Sequence, residues 1–254
     1  MDSFEDRLSR IETSWSVLRN AHDPETDAAR AAQQDLLDRY GGAVRRYALA
    51  ALRNEEAADE VFQEFALRFV RGDLAGADQS KGRFRSFVKT CVYHLIVDYQ
   101  RRGKRNAKVS PFRTETPEPK APTEEVDHDE LFSKTWRDDL LTRVWDRLDK
   151  HEQSTGKPYH TALQLRVANP EVRSPELAEL LSQKLGKPMK AGAARVLIHR
   201  ARETFGELLL EEVAHSLPDA SRDQLQEELI DLNLFEYCRP VFEKQSADLQ
   251  AEQE

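Results

Sequence analysis

Residues 82–105 read GRFRSFVKTCVYHLIVDYQRRGKR, an apolar stripe set beside a cluster of positive charge in a chain whose formal net charge is -8. Phe84, Phe87, Val88, Cys91, Val92, Leu95, Ile96 and Tyr99 recur at three- and four-residue intervals, the signature of a helix with one buried face. The segment therefore belongs to a packed helical domain. With successive residues turned by about 100°, Arg85, Lys89, Tyr93, Val97 and Arg101 fall largely on the opposite side. A purely solvated face rarely carries Tyr and Val. This outer face is expected to bind something, the alternative being that a neighbouring helix covers it.

Charge distribution narrows the partner. Residues 81–113 hold ten Lys or Arg and the single acid Asp98, a local net of +9. Residues 184–202 hold six cations and no acid. The acids lie elsewhere: seven against one Lys in 115–130, and thirteen against three cations in 207–254. With a Debye length of about 8 Å at physiological salt, a phosphate backbone senses the nearest patch far more than a distant tail. Two basic surfaces on an acidic chain are thus compatible with nucleic-acid binding.

The chain has 254 residues, 39 % of them hydrophobic and 33 % charged, which suits two small helical units with large surfaces. No apolar run approaches the roughly 20 residues that span a bilayer, and MDSFEDRLSR is too acidic and polar for a signal peptide, so a cytoplasmic location and no membrane partner are expected. Cys91 and Cys238 have no metal-ligand spacing and are read as ordinary buried or half-buried thiols. No cofactor, metal ligand or catalytic residue is expected. Val126 to Glu130, VDHDE, is the best acid-base cluster in the chain, but it sits in a proline-rich stretch with no rigid support.

No alternating strand pattern persists, and an all-α fold follows. A first helix is expected from near Asp27 to Leu52, with Leu36, Leu37, Tyr40, Val44, Tyr47 and Ala51 inward and Gly41-Gly42 as a close packing point. Asn54 is placed to cap a second helix, about 55–71, burying Ala58, Val61, Phe62, Phe65 and Phe69 and turning Asp59, Glu60, Gln63 and Leu67 outward. Residues 107–130 contain four prolines and little apolar material, the composition of a flexible linker. Beyond it, Trp136, Leu140, Leu141, Val144, Trp145 and Leu148 mark another amphipathic helix, and YHTALQLRVANP a short one. Ser174-Pro175-Glu176 opens a helix that Gly186 and Pro188 close. A longer helix from Ala191 then carries basic residues at its front, the order of a helix-turn-helix whose second helix enters the major groove.

Both halves resemble the extracytoplasmic-function (ECF) sigma factors, the small two-domain promoter-recognition subunits of bacterial RNA polymerase. The resemblance covers about residues 35–106 and 131–212. AADEVFQEF, residues 57–65, is similar to the family's polymerase-binding helix, Ala-Glu-Asp followed by Gln-Glu, with the two acids exchanged in order. It implies polymerase-binding roles for Asp59, Glu60, Gln63, Glu64 and Leu67. The opening stretch resembles the helix for the minus-ten promoter element, with Phe87-Val88 at the family's Trp-Leu pair and His94 at its Asn. The implied DNA-binding set is Arg83, Arg85, Lys89, Tyr93, His94, Arg101, Arg102 and Arg105. In the family this region captures a flipped base; His stacks or donates where Asn makes paired hydrogen bonds, which puts the preferred base in doubt. AARVLIHRAR, residues 193–202, resembles the minus-thirty-five recognition helix and implies DNA contacts for Lys187, Lys190, Arg195, His199 and Arg200, to bases or to phosphates. Between Ala178 and Ala194 the chain is about six residues longer than the family's compact turn. Either a loop adds phosphate contacts through Lys184, Lys187 and Lys190, or the first helix is longer.

The expected organisation is an N-terminal extension (1–34), a sigma region 2-like domain (35–106), a flexible acidic linker (107–130), a sigma region 4-like helix-turn-helix domain (131–215) and an acidic C-terminal extension (216–254). The resemblance implies core RNA polymerase and promoter DNA as partners, an anti-sigma factor or a regulatory kinase as controlling partners, and a monomer when free. Two weak DNA readers on one strap gain from each other because the second contact becomes intramolecular on the polymerase. The extension, with Leu225, Leu229, Leu232 and Phe235 on one helical face, is expected either to fold over a basic DNA surface or to serve as a solubilising tail or packing helix. A stand-alone helix-turn-helix regulator is the alternative function, and it leaves the acidic face of the second helix without a task.

Overall fold

A computed structural model describes residues 27–71, 73, 83–109, 127–217 and 221–242. Its helices are α1 (Asp27–Leu52), α2 (Glu55–Arg71), α3 (Phe84–Val109), α4 (His128–Thr155), α5 (Tyr159–Ala168), α6 (Ser174–Leu185), α7 (Ala191–Ala214) and α8 (Arg222–Asp231). Residues 235–242 are also helical, and no strand occurs among the described residues. The fold is all-α, as the apolar spacing requires. The described residues divide into two compact units, the first within 1–139 and 215–220 and the second within 140–214 and 221–254.

In the first unit α1 packs on α2 and both pack on α3. The α1–α2 corner turns at Arg53, whose φ of 52° places it in the left-handed region, and Asn54 then caps α2, its Oδ1 accepting from the Ala57 N–H at 2.8 Å. Ala43, Val44, Tyr47, Ala58, Val61, Val88, Val92 and Ile96 are almost fully buried, so three amphipathic stripes close on one core. Gly41 and Gly42 form the expected close packing point: a Cβ on Gly41 would stand 3.0 Å from the Phe62 ring, and one on Gly42 2.7 Å from the Asp139 carboxylate.

The first unit does not end at residue 106. It also takes in the start of α4, because Phe132 and Trp136 are buried against aromatic residues of α1. Tyr40 stacks on Trp136 with centroids 4.8 Å apart, and Tyr47 meets Phe132 edge-on at 5.1 Å. Arg46 pairs with Asp139 in the same contact. The expected domain start at 131 thus gives way to a division after Asp139, drawn by aromatic burial that the sequence spacing does not assign to a partner. Residues 127–130, expected in the linker, are ordered differently: Asp127 Oδ1 accepts from the backbone N–H groups of Asp129 (2.9 Å) and Glu130 (3.2 Å) and caps α4. Residues 110–126 of the expected linker, 1–26 of the N-terminal extension and 243–254 of the C-terminal extension lie outside the described residues.

In the second unit α5 and α6 both pack on α7 around Leu163, Leu177, Ala178, Leu181, Ala194, Ile198 and Ala201. The longer-helix alternative is the observed one: α6 runs through Leu185 and stops at Gly186, whose φ of 64° is the left-handed cap, leaving 186–190 as the turn. Arg173 rather than Ser174 stands at the cap position, with Pro175 in the first turn. Ser182 Oγ accepts from the Met189 N–H at 2.8 Å and donates to the Ala178 carbonyl at 2.6 Å, which ties the turn back to α6. From Leu140 onward α4 packs here through Leu148, Val144 and Trp145, the last against Phe205 at 5.3 Å. Arg143 and Arg147 reach the buried Glu212 at 3.2 and 3.0 Å, and Arg147 also meets Glu211 at 2.5 Å.

Of the C-terminal extension, the described residues 221–242 belong to this second unit, whereas 216–217 belong to the first. Residues 221–242 pack on the second half of α7, where Cys238 and Val241 approach so closely that a Cβ on Gly206 would stand 3.0 Å from the Tyr237 carbonyl and the Val241 methyl. Leu225, Leu229 and Leu232 are buried as the spacing predicts. Burial of that apolar face is what the packing-helix alternative expects of these residues.

Candidate nucleic-acid interface

On α2, the residues at 60, 63 and 67 share one exposed face by helical spacing, and Leu67 is 43 % exposed despite its apolar side chain. Gln63 is exposed beside it. The two other members of the expected polymerase-binding set have partners within the unit. Asp59 accepts from Arg45 Nε of α1 at 2.5 Å, and Glu64 pairs with Arg68 one turn on at 2.7 Å. The hydrogen bond that Arg45 donates to Asp59, and then the charge of that carboxylate, raise the Arg45 pKa. Glu60 Oε1 lies 3.9 Å from Arg102 Nη1, so this acidic face adjoins the basic end of α3.

The outer face of α3 is not the open surface that its composition suggested. The start of α4 covers its first half: Arg85 Nη1 donates to Ser133 Oγ at 3.1 Å, Lys89 Nζ donates to Asp129 Oδ1 at 2.9 Å, and the Tyr93 ring meets His128 edge-on at 5.3 Å. His128 Nδ1 in turn lies 3.0 Å from the Tyr47 hydroxyl. Burial of that phenol pushes the Tyr47 pKa upward, with the Asp129 charge adding to the shift. A neighbouring helix therefore covers Arg85 and Lys89, and Arg83 is half-buried at the helix start. The exposed members of the expected minus-ten set are Tyr93 (41 % exposed), His94, Arg101 and Arg102. The Arg105 side chain lies outside the described residues. His94 packs only loosely on Tyr93, at 6.1 Å.

In the second unit every member of the expected minus-thirty-five set, Lys187, Lys190, Arg195, His199 and Arg200, is exposed on the turn or on the first half of α7. A cleft of ≈ 740 Å³ runs along one flank of α7 toward the α5–α6 connection, and Arg166, Arg173, Arg195, His199 and Arg202 contribute to its wall. Arg166 donates to the Val172 carbonyl at 2.6 Å, which fixes one side of that wall. Sequence reasoning missed Arg166 and Arg173 because they lie upstream of the basic cluster and join it only through the packing of α5 and α6 on α7.

Among the described residues no group of His, Cys, Asp and Glu is arranged to hold a metal ion, and no helix is long and apolar enough to cross a membrane. Cys91 and Cys238 are free thiols, and burial raises their pKa values to about 11 and about 12.

Residues 36–106, from α1 through most of α3, match the family model for Sigma-70 region 2. Over that segment, which is less than half of the chain, the protein is similar to Sigma-70 region 2. No curated protein and no solved structure matches the chain.

Proposed function

We propose that this chain is an ECF-type sigma factor: it binds core RNA polymerase, reads an upstream promoter element as duplex with its second unit, and holds the separated strand of a downstream element with its first. The observation that carries this reading is the region 2 match over α1 to α3, on which the exposed Glu60, Gln63 and Leu67 lie one helix away from the exposed Tyr93, His94 and Arg101. A stripe of acid, amide and leucine suits a protein partner, whereas an aromatic, an imidazole and arginines suit unpaired bases and phosphates.

The second unit supports a region 4-like task by its chemistry. The helix–turn–helix formed by α6, residues 186–190 and α7 holds Lys187, Lys190, Arg195, His199 and Arg200 at the surface while Ala194, Ile198 and Ala201 anchor the other side. Such a helix presents donors to base edges and cations to phosphates in the major groove. The cleft wall of arginines beside it would follow the adjoining backbone. Base capture at the downstream element favours melting, because each stacked base contributes on the order of 1 to 3 kcal/mol.

The test is assembly and transcription. The purified chain is expected to co-elute with core RNA polymerase and to direct initiation from a subset of a promoter library. A chain that binds duplex DNA yet neither joins the polymerase nor starts RNA synthesis would be a stand-alone regulator instead. Control by an anti-sigma factor or by a kinase is a further part of the proposal, tested by asking which proteins co-purify with the free chain.

A further inference from the structure

Val196 lies on the exposed face of α7 and is 50 % exposed, although Ala194 and Ile198 on either side of it in sequence are buried. Gly192 precedes it by one turn and has open space around it, and His199 follows at the next helical step. Arg195 and Arg200 flank this line and are exposed. Arg195 and His199 also reach the cleft wall, whereas Val196 does not contribute to it. The front of the helix therefore has a branched aliphatic group at its centre, a glycine that permits close approach, and hydrogen-bond donors at its edges.

We propose that Val196 is a specificity-determining residue that selects thymine through its C5-methyl group, an inference that rests on α7 being the duplex-reading helix. In the major groove thymine alone adds an apolar C5-methyl group beside its O4 acceptor, while the other bases offer only donors or acceptors. An aliphatic side chain satisfies none of those polar groups, so placing it against adenine, guanine or cytosine strips water from them without replacement. Against the thymine methyl the same side chain buries apolar surface and strips less water from polar atoms. Arg195, His199 and Arg200 then read neighbouring positions or hold phosphate.

The experiment uses holoenzyme assembled from the full chain and core polymerase, with the upstream element selected from a randomised promoter pool. Each thymine of the selected element is replaced in turn by uracil, which keeps the pairing and removes only the methyl. One replacement is expected to weaken promoter binding about fourfold, the factor that burial of one methyl-sized group supplies. Val196→Ala is expected to weaken binding to the thymine promoter and to abolish the difference between thymine and uracil there, with an unchanged unfolding midpoint. Uracil replacements that are all silent, or a methyl dependence that persists in Val196→Ala, would overturn the inference while leaving the sigma reading intact. A pool that yields no preferred upstream sequence would overturn this inference, whereas failure of the chain to assemble with core polymerase or to start RNA synthesis would overturn the sigma reading itself.

Discussion

Lys89 Nζ lies 2.9 Å from Asp129 Oδ1, so a cation of the expected minus-ten set is met by a carboxylate at the start of α4. The Lys89 side chain is 29 % exposed and that of Asp129 77 %, which makes the pair a surface contact of small energetic weight. The contact matters because it occupies a positive group on the helix proposed to hold single-stranded DNA. Asp129→Asn is expected to leave the unfolding midpoint nearly unchanged. It should tighten binding of a single-stranded oligonucleotide at low salt, by up to about fivefold for a contribution of ~1 kcal/mol. Titration at rising ionic strength checks the cause, since the gain should fade as screening increases.

The two kinds of residue on α2 predict two kinds of failure. Leu67 is exposed and Asp59 is engaged by Arg45. Leu67→Ala should weaken association with core polymerase about tenfold, a loss typical of a central contact, at constant thermal stability. Asp59→Ala should lower stability measurably, because it removes a partner between α1 and α2. Calorimetry beside a polymerase-binding titration separates them, and a Leu67 variant with unaltered affinity would refute the proposed docking face.

Trp136 is 1 % exposed, stacked on Tyr40, and its indole N–H has no hydrogen-bond partner among the described residues. Its contribution is therefore volume and ring contact. Trp136→Ala should cost about 3 to 5 kcal/mol, whereas Trp136→Phe should cost much less because no hydrogen bond is lost with the indole. Denaturant unfolding of the two variants tests this ordering.

Burial holds the Cys91 and Cys238 thiols protonated to about pH 11 and about pH 12 in the folded chain, against an ordinary value of 9.0. Above pH 9 the unfolded chain loses these protons and the folded chain keeps them, so the unfolded state binds fewer and stability falls as pH rises. Each thiol should contribute a slope near 1.4 kcal/mol per pH unit between its two values. Urea midpoints measured from pH 8.5 to 11 are expected to fall, and less steeply in Cys238→Ala. At pH 8, Cys238 should resist alkylation until the chain is denatured.

Much of the helical scheme was readable from local pattern. The bounds of α1, α2 and α6 follow from apolar spacing together with Asn54, Pro175 and Gly186, whose effects act within a turn or two of chain. The Gly41-Gly42 pair also announced a close contact, though not that Phe62 and Asp139 would fill it. Pairings across long stretches were less legible. Tyr93 and Lys89 look like an open binding face until His128 and Asp129, some forty residues downstream, are known to lie against them.

The amino-acid order by itself determined which segments are helical, which face of each seeks burial, and where positive charge accumulates, because periodicity and charge are properties of neighbours along the chain. Only the tertiary structure decided what each face meets: that Trp136 joins the first unit, that residues 221–242 pack on the rear of α7, and that Val196 stands uncovered at its front. Burial is non-directional, and a hydrophobic stripe specifies the need for a partner without specifying the partner.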